Sequence, residues 1–187
     1  MLAMANLRII SGEYGSRLIS ADVGRATHPM GDRVRSAIFN IIDVEGKKVL
    51  DAYAGTGAVG LEALSRGAKK VDFIENNKQA QRVIEKNISS LEVNDRVKLY
   101  KMSVNTFLES VGELLEEKYD IIFVDPPYHL LPKEFSTVFK LKKVVKSKGL
   151  MVLSYPGRLC VPTVNGVVVV DNREYGEAAF AVFRFDN

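Results

Sequence analysis

The 187-residue chain has one cysteine, Cys160, no tryptophan and only two histidines, His28 and His129. A single thiol excludes an intramolecular disulfide and fits a reducing cytoplasm, where the protein is expected. Neither histidine has companions at metal-ligand spacing, so no metal is expected, and Cys160 lacks the basic or helical context of a reactive thiol. No apolar run approaches the about 18 residues that a membrane-spanning helix needs, and MLAMANLRII lacks the basic-then-apolar layout of a secretory signal. No membrane partner is expected. Low-complexity tracts and internal repeats are missing, and neither sign of charge dominates: 26 Lys+Arg against 23 Asp+Glu leave a formal +3. Such a balance is compatible with a polyanionic partner without requiring one. What remains, at 47% hydrophobic and 26% charged residues, is the composition of a soluble globular chain long enough to bury a full core.

Two regions differ in texture. In residues 1–46 the basic residues are Arg8, Arg17, Arg25, Arg33 and Arg35, interrupted by Gly12, Gly15, Gly24 and Gly31. Extended pieces around Leu7 to Ile10 and Arg17 to Ile19 read as a ribbon. Asp32 to Ile42 reads as a helix with Val34, Ile38 and Ile41/Ile42 on one face and Asp32 near its positive end. From residue 47 short apolar runs alternate with helical stretches. Strands are expected at Lys48 to Ala52, Lys70 to Ile74, Val97 to Lys101, Ile121 to Asp125 and Gly149 to Ser154. Helices are expected at Ala58 to Arg66, Asn77 to Leu91, Val104 to Glu117 and Lys133 to Val145, and a closing hairpin at Val167 to Val170 with Ala178 to Arg184. Repeated strand-then-helix order implies parallel strands with right-handed crossovers, hence an α/β, doubly wound, Rossmann-like domain over 47–187 behind an N-terminal extension at 1–46.

Between the first strand of that domain and its helix lies AGTGAVG, with Gly55, Gly57 and Gly60 in G-x-G-x-x-G spacing and Glu75 twenty residues past Gly55. This placement satisfies the structural condition for a cofactor turn at Ala54, Gly55, Thr56, Gly57 and Gly60, with Glu75 able to accept two ribose hydroxyls. Asp51, at the strand end, would face a pyrophosphate poorly. S-adenosylmethionine has no phosphate and carries an ammonium and a sulfonium, so the charge argument leans toward a methyl donor over a nicotinamide and leaves both open.

The second constellation is Asp125-Pro126-Pro127-Tyr128, following the fourth strand of the domain. Consecutive prolines fix the backbone and withhold N–H groups, so carbonyls such as that of Pro126 are held ready as acceptors. Asp125 adds a carboxylate and Tyr128 an aromatic face. An exocyclic amine on a planar base or amide is a poor nucleophile. Two acceptors on its hydrogens would aim the nitrogen at a methyl sulfonium while the tyrosine stacks on the ring, positioning and electrostatics carrying the rate.

With both motifs in view, the chain resembles the guanine-N2 methyltransferase family that modifies 16S rRNA. The resemblance runs through RIISGEYGSR (Arg8 to Arg17), HPMGDRVRSAIFNII (His28 to Ile42), DAYAGTGAVGLEALSRGA (Asp51 to Ala68), FIE ending at Glu75, VDPPY ending at Tyr128 and EYG at Glu174 to Gly176. It implies a seven-stranded sheet, S-adenosylmethionine over Gly55 to Gly60 with Glu75 on its ribose, a target guanine at Asp125 to Tyr128, and an N-terminal ribbon touching RNA. The chain departs from the pattern in having His28-Pro29-Met30 where the family has Arg-Pro-Thr. It also has Ser103 where an acidic residue or asparagine commonly meets the adenine; a hydroxyl can still accept that bond.

Arg8, Arg17, Arg25, Arg33 and Arg35 are then candidates for RNA phosphate, since arginine's planar fork suits it. Arg33 and Arg35 lie two apart on one helix, so one is expected at phosphate while the other pairs with a carboxylate. His129 is expected to close over the base rather than to act as acid or base. Lys140, Lys142, Lys143, Lys146 and Lys148 are expected at a helix C-terminus, solvated and favoured by its dipole. The expected partner is 16S rRNA, within a partly assembled small subunit, for a monomeric enzyme. Competing readings are a DNA adenine-N6 or protein-glutamine methyltransferase, an NAD-dependent dehydrogenase, and an RNA-binding module without activity.

Overall fold

The computed structural model describes residues 6–21, 30–110, 114–159 and 166–186. Arg25, His28 and Cys160 lie outside the described residues. Five parallel strands follow one another in the chain: β3 (Lys48–Ala52), β4 (Lys70–Ile74), β5 (Val97–Tyr100), β6 (Tyr119–Val124) and β7 (Val145–Pro156). Ahead of them, β1 (Asn6–Arg8) and β2 (Leu18–Ser20) form a separate antiparallel ribbon. Behind them, β8 (Val167–Tyr175) and β9 (Ala178–Phe185) close the sheet as an antiparallel hairpin, with β9 against β7. The strand order is β5-β4-β3-β6-β7-β9-β8, seven strands as expected.

Helices α1 (Asp32–Phe39), α2 (Ala58–Ser65) and α3 (Lys78–Leu91) share one core with Val49, Phe73, Phe123 and Val152. Helices α4 (Val104–Ser110) and α5 (Leu131–Lys140) share another with Leu50, Ile74, Val124 and Leu153. Neighbours along each strand thus go to opposite cores, the period-two rule applied to a sheet covered on both faces. No described helix is long and apolar enough to cross a membrane.

Several boundaries differ from expectation, among them α1, which ends at Phe39 rather than Ile42. The last helix ends at Lys140, followed by a 3-10 turn at Leu141–Lys143, because Val144 and Val145 are buried and Tyr119 N–H donates to the Val144 carbonyl at 2.9 Å. Lys146 and Lys148 consequently sit on a strand, and Lys146 pairs with Glu117 and Asp120 at 2.9 and 3.0 Å. The described part of α4 stops at Ser110, with 111–113 outside the described residues. Finally, β8 continues through the polar DNREY stretch because each of those residues pairs with β9.

The N-terminal segment is stapled to α2 and α3. Ile9 and Ile19 are buried in the α1–α3 core. Glu62, fully buried on α2, accepts Ile10 N–H at 2.7 Å and Ser11 N–H at 3.2 Å and pairs with Arg66 at 2.6 Å. Ser65 accepts Tyr14 N–H on its hydroxyl and Glu13 N–H on its carbonyl. Gly12 presses onto that carbonyl so closely that a Cβ would lie 1.8 Å from the oxygen. RIISGEYGSR therefore encodes a docking loop as well as a ribbon.

Candidate active site

Because β3 is followed outward by β4 and β5 while the chain returns to place β6 on its other side, the sheet has its switch point between β3 and β6. Ligands bind there, beyond the carboxyl ends of the strands. Register makes the placement concrete. Ile74, Ala52, Val124 and Leu153 are neighbours across β4, β3, β6 and β7, so one residue further along lie Glu75, Tyr53, Asp125 and Ser154. A cleft of about 750 Å3 opens here, lined by Ala54, Gly55, Thr56, Glu75 and Asp125 to His129, and walled on the far side by Met30, Gly31 and Val34 of the α1 entry.

The three glycines have three physical roles. Gly55 has φ +56°, and a Cβ there would meet nothing within 4 Å, so the backbone is open to a ligand. Gly57, at φ +76°, makes the turn into α2. Gly60 faces the sheet: its Cβ would lie 2.3 Å from the Phe73 ring, so it is required for helix–strand packing. Thr56 lines the cleft, and its carbonyl is held by the Asn87 amide at 3.0 Å.

Glu75 is buried, with Gly55 N–H donating to one oxygen at 2.8 Å and Asn77 N–H to the other at 2.7 Å. A carboxylate has about four lone-pair positions, so each oxygen keeps acceptor capacity toward the cleft. Asp51 takes a different part from the one expected. It does not line the cleft, is 2% exposed, and accepts Gly60 N–H at 2.8 Å, capping an α2 that has no side-chain cap of its own. Burial, with Asp125 and Glu75 nearby, pushes its carboxyl well up. Ser103 also departs from expectation: it accepts Thr106 N–H at the start of α4 and is not among the cleft-lining residues.

Asp125, Pro126, Pro127 and Tyr128 all line the cleft. The Pro127 and Tyr128 carbonyls accept Leu130 and Leu131 N–H in the turn into α5, whereas the Pro126 carbonyl takes no donor among the described residues. Burial pushes the Asp125 carboxyl up to about 6, while a hydrogen bond from Ser154 acts to lower it. Tyr128 is 37% exposed, with its hydroxyl 3.1 Å from Ser154 Oγ, and burial raises its phenol. His129 is exposed at the cleft edge.

Of the arginines, Arg8, Arg17 and Arg33 are exposed, with Arg17 over the Tyr14 ring at 5.9 Å and Arg33 over the Tyr175 ring at 5.7 Å. Arg35 is 1% exposed and is removed from any role at phosphate. It bonds Asp32 at 2.9 Å, donates to the Arg8 carbonyl and approaches Glu62 at 3.9 Å. It is the carboxylate-pairing member of the Arg33/Arg35 pair, and burial lowers its guanidinium.

Four contributors escape sequence reasoning. Ser154 and Glu62 are two. Asn87 is the third: its amide accepts Ser20 N–H at 2.8 Å and donates to the Ser20 carbonyl at 2.9 Å, tying the ribbon to the glycine loop through Thr56. Tyr53 is the fourth. It occupies φ +62°, uncommon for a bulky residue, and its hydroxyl donates to Glu134 at 2.8 Å, joining the end of β3 to α5.

A doubly wound seven-stranded sheet with this cleft at its switch point defines the α/β Rossmann-like methyltransferase fold, and solved structures agree. "Putative methyltransferase yhhF" from Escherichia coli superposes with a TM-score of 0.82 at 26% identity, covering 97% of this chain and 99% of that one. The chain belongs to the family described as "Conserved hypothetical protein 95", which matches residues 7–184. It is 29% identical over 182 residues to "Putative rRNA methyltransferase YlbH" of Bacillus subtilis, covering 95% of this chain and 98% of that protein. It is also 33% identical over 130 residues to "Ribosomal RNA small subunit methyltransferase D" of Haemophilus influenzae, covering 68% and 66% respectively.

Proposed function

We propose that the chain transfers a methyl group from S-adenosylmethionine to the exocyclic N2 amine of a guanine in 16S rRNA. The observation that carries this reading is that Gly55, Glu75 and Asp125 to Tyr128 line one cleft. The names of the relatives favour ribosomal RNA as the owner of the amine. The residues present fit the donor: the backbone at Gly55 is open, and Glu75 keeps acceptor positions for a ribose diol. When bound, S-adenosylmethionine supplies an electrophilic methyl on a cationic sulfur.

The chain's own contribution is orientation. Asp125 and the Pro126 carbonyl accept the two N–H bonds of the amine and aim the nitrogen, and Tyr128 stacks on the ring. Asp125, at about 6, is ionised at neutral pH and takes the proton released from the methylated nitrogen, or passes it to water. The guanine must be unpaired or flipped out to enter. Residues 1–46 act as the RNA-contacting extension, with Arg8, Arg17 and Arg33 at phosphates, and 47–187 as the methyltransferase domain of a monomer. So small an extension suits a substrate already shaped by ribosomal proteins, a partly assembled subunit. The test offers labelled S-adenosylmethionine with unmethylated 30S subunits, naked 16S rRNA, duplex DNA or a glutamine peptide. Label in RNA, strongest in the subunit, is expected; label in DNA or peptide alone refutes the reading.

A further inference from the structure

We propose that Ser154 is a positioning residue for this reaction, a single buried hydroxyl that fixes both the amine acceptor Asp125 and the stacking ring of Tyr128. The inference rests on the proposed methyl transfer and assigns a part to a residue that neither motif contains.

The sheet brings the three groups together. Val124 and Leu153 are partners in the parallel β6–β7 ladder, so Asp125 and Ser154, one step on, are neighbours across the strands. Ser154 is 2% exposed, and water does not compete for its hydroxyl. The strand register sets that hydroxyl beside the Asp125 carboxyl, whose ionised form it favours, and it stands 3.1 Å from the Tyr128 hydroxyl. An ionised carboxylate can only accept, so Ser154 donates to Asp125, and its oxygen is left to accept from Tyr128. The order is therefore Tyr128 O–H to Ser154 Oγ, and Ser154 O–H to Asp125. Tyr128, though 37% exposed, has its ring held at the far end, which limits its swing over the cleft. Asp125 has one acceptor position used from below, orienting the rest toward the cleft.

The ionisable groups around this trio are few. Asp51 on β3 and Glu75 at the end of β4 are carboxyls in the same region, and Tyr128 is the neighbouring phenol. His129 lines the same cleft, Glu134 of α5 is engaged by Tyr53, and the α1 side presents Met30, Gly31 and Val34. No cation bonds Asp125 among the described residues, so the Ser154 hydroxyl is the feature that favours its ionised form.

Three variants test this: Ser154→Ala, Ser154→Thr and Tyr128→Phe. Acceptor kinetics are followed from pH 5 to 8, donor affinity by calorimetry, and the Asp125 carboxyl by NMR titration in the free protein. Ser154→Ala is expected to move the acidic limb and the carboxyl titration up by about one pH unit. It should also raise KM for RNA several-fold and leave donor affinity within twofold. Ser154→Thr, which keeps the hydroxyl, restores both. Tyr128→Phe raises KM without moving the limb, since the bond to Asp125 survives. If wild type transfers methyl and Ser154→Ala changes neither limb, KM nor titration, the proposal is overturned. If wild type transfers no methyl to any RNA, the functional reading fails first and takes the positioning role with it.

Discussion

Replacing Gly60 by alanine separates what the glycine loop does for folding from what it does for binding. The new methyl would lie 2.3 Å from Cε1 and 2.8 Å from Cζ of Phe73 and 2.9 Å from Cγ1 of Val71, whereas carbon atoms rest at about 3.5–4.0 Å. More than an ångström must be found between α2 and β4. Phe73 and Val71 are both at 0% exposure, so neither side chain can swing into solvent. Overpacking of this kind costs about 1–3 kcal/mol, partly offset by the roughly 1 kcal/mol that alanine gains over glycine inside a helix. A net loss of up to about 2 kcal/mol is expected, a fall in Tm of up to about 8 °C for a domain of this size. Calorimetry of unfolding reads it, and Phe73→Leu in the same chain should recover part of the loss. Donor affinity in Gly60→Ala should stay near wild type, because the methyl points at the sheet. Gly55→Ala should do the opposite, losing donor affinity through a methyl placed in the cleft and a backbone at φ +56°. A Gly60→Ala protein with wild-type Tm and lost donor binding would refute the assignment of Gly60 to packing.

The remaining predictions concern buried polar groups. Glu62→Gln leaves Arg35 and Arg66 without their shared carboxylate and should cost about 3–5 kcal/mol, read by denaturant unfolding; a loss below about 1 kcal/mol would contradict the staple. Asn87→Ala strips Ser20 and Thr56 of three bonds and should cost about 1–3 kcal/mol together with donor affinity, measured by unfolding and titration. Asp125 has its folded pKa raised to about 6, above an ordinary carboxyl near about 4. The native state therefore binds that proton more tightly than the unfolded chain, and stability falls as pH rises from about 4 to about 6. Asp125→Asn lacks this loss, so its stability relative to wild type should improve across that window and then level off, while activity disappears; a pH-independent difference would contradict the shift.

The alternating part of the fold was legible because each strand carries an apolar run that two helical layers must cover. Three glycines and a DPPY at neighbouring strand ends could only meet at a switch point. What stayed hidden involves partners without a residue signature. Glu62 and Ser65 are bonded to main-chain N–H groups 52 and 51 residues away, and any residue offers such a group. Ser154 reads in sequence as one polar position in a strand, and only the β6–β7 register puts it beside Asp125. The arginine pair was half readable. Spacing says that Arg33 and Arg35 face apart, and the period through Arg35, Ile38 and Ile42 indicates which turns inward, since Ile38 and Ile42 are both core. Asp51 misled because its charge was taken to face a ligand, when the nearer need was an uncapped helix start one loop away. The closing hairpin was expected to leave its first strand at Val170, yet pairing with β9 carries the ladder on through the polar DNREY stretch.

The proposal for this cleft is methyl transfer to an amine held by Asp125. Its most direct test is nucleoside analysis of 16S rRNA after incubation of unmethylated 30S subunits with labelled S-adenosylmethionine, wild type and Asp125→Ala side by side. Label is expected in N2-methylguanosine with wild type and none with the variant, donor binding being retained in both. Label in another nucleoside, or undiminished N2-methylguanosine from Asp125→Ala, would contradict it.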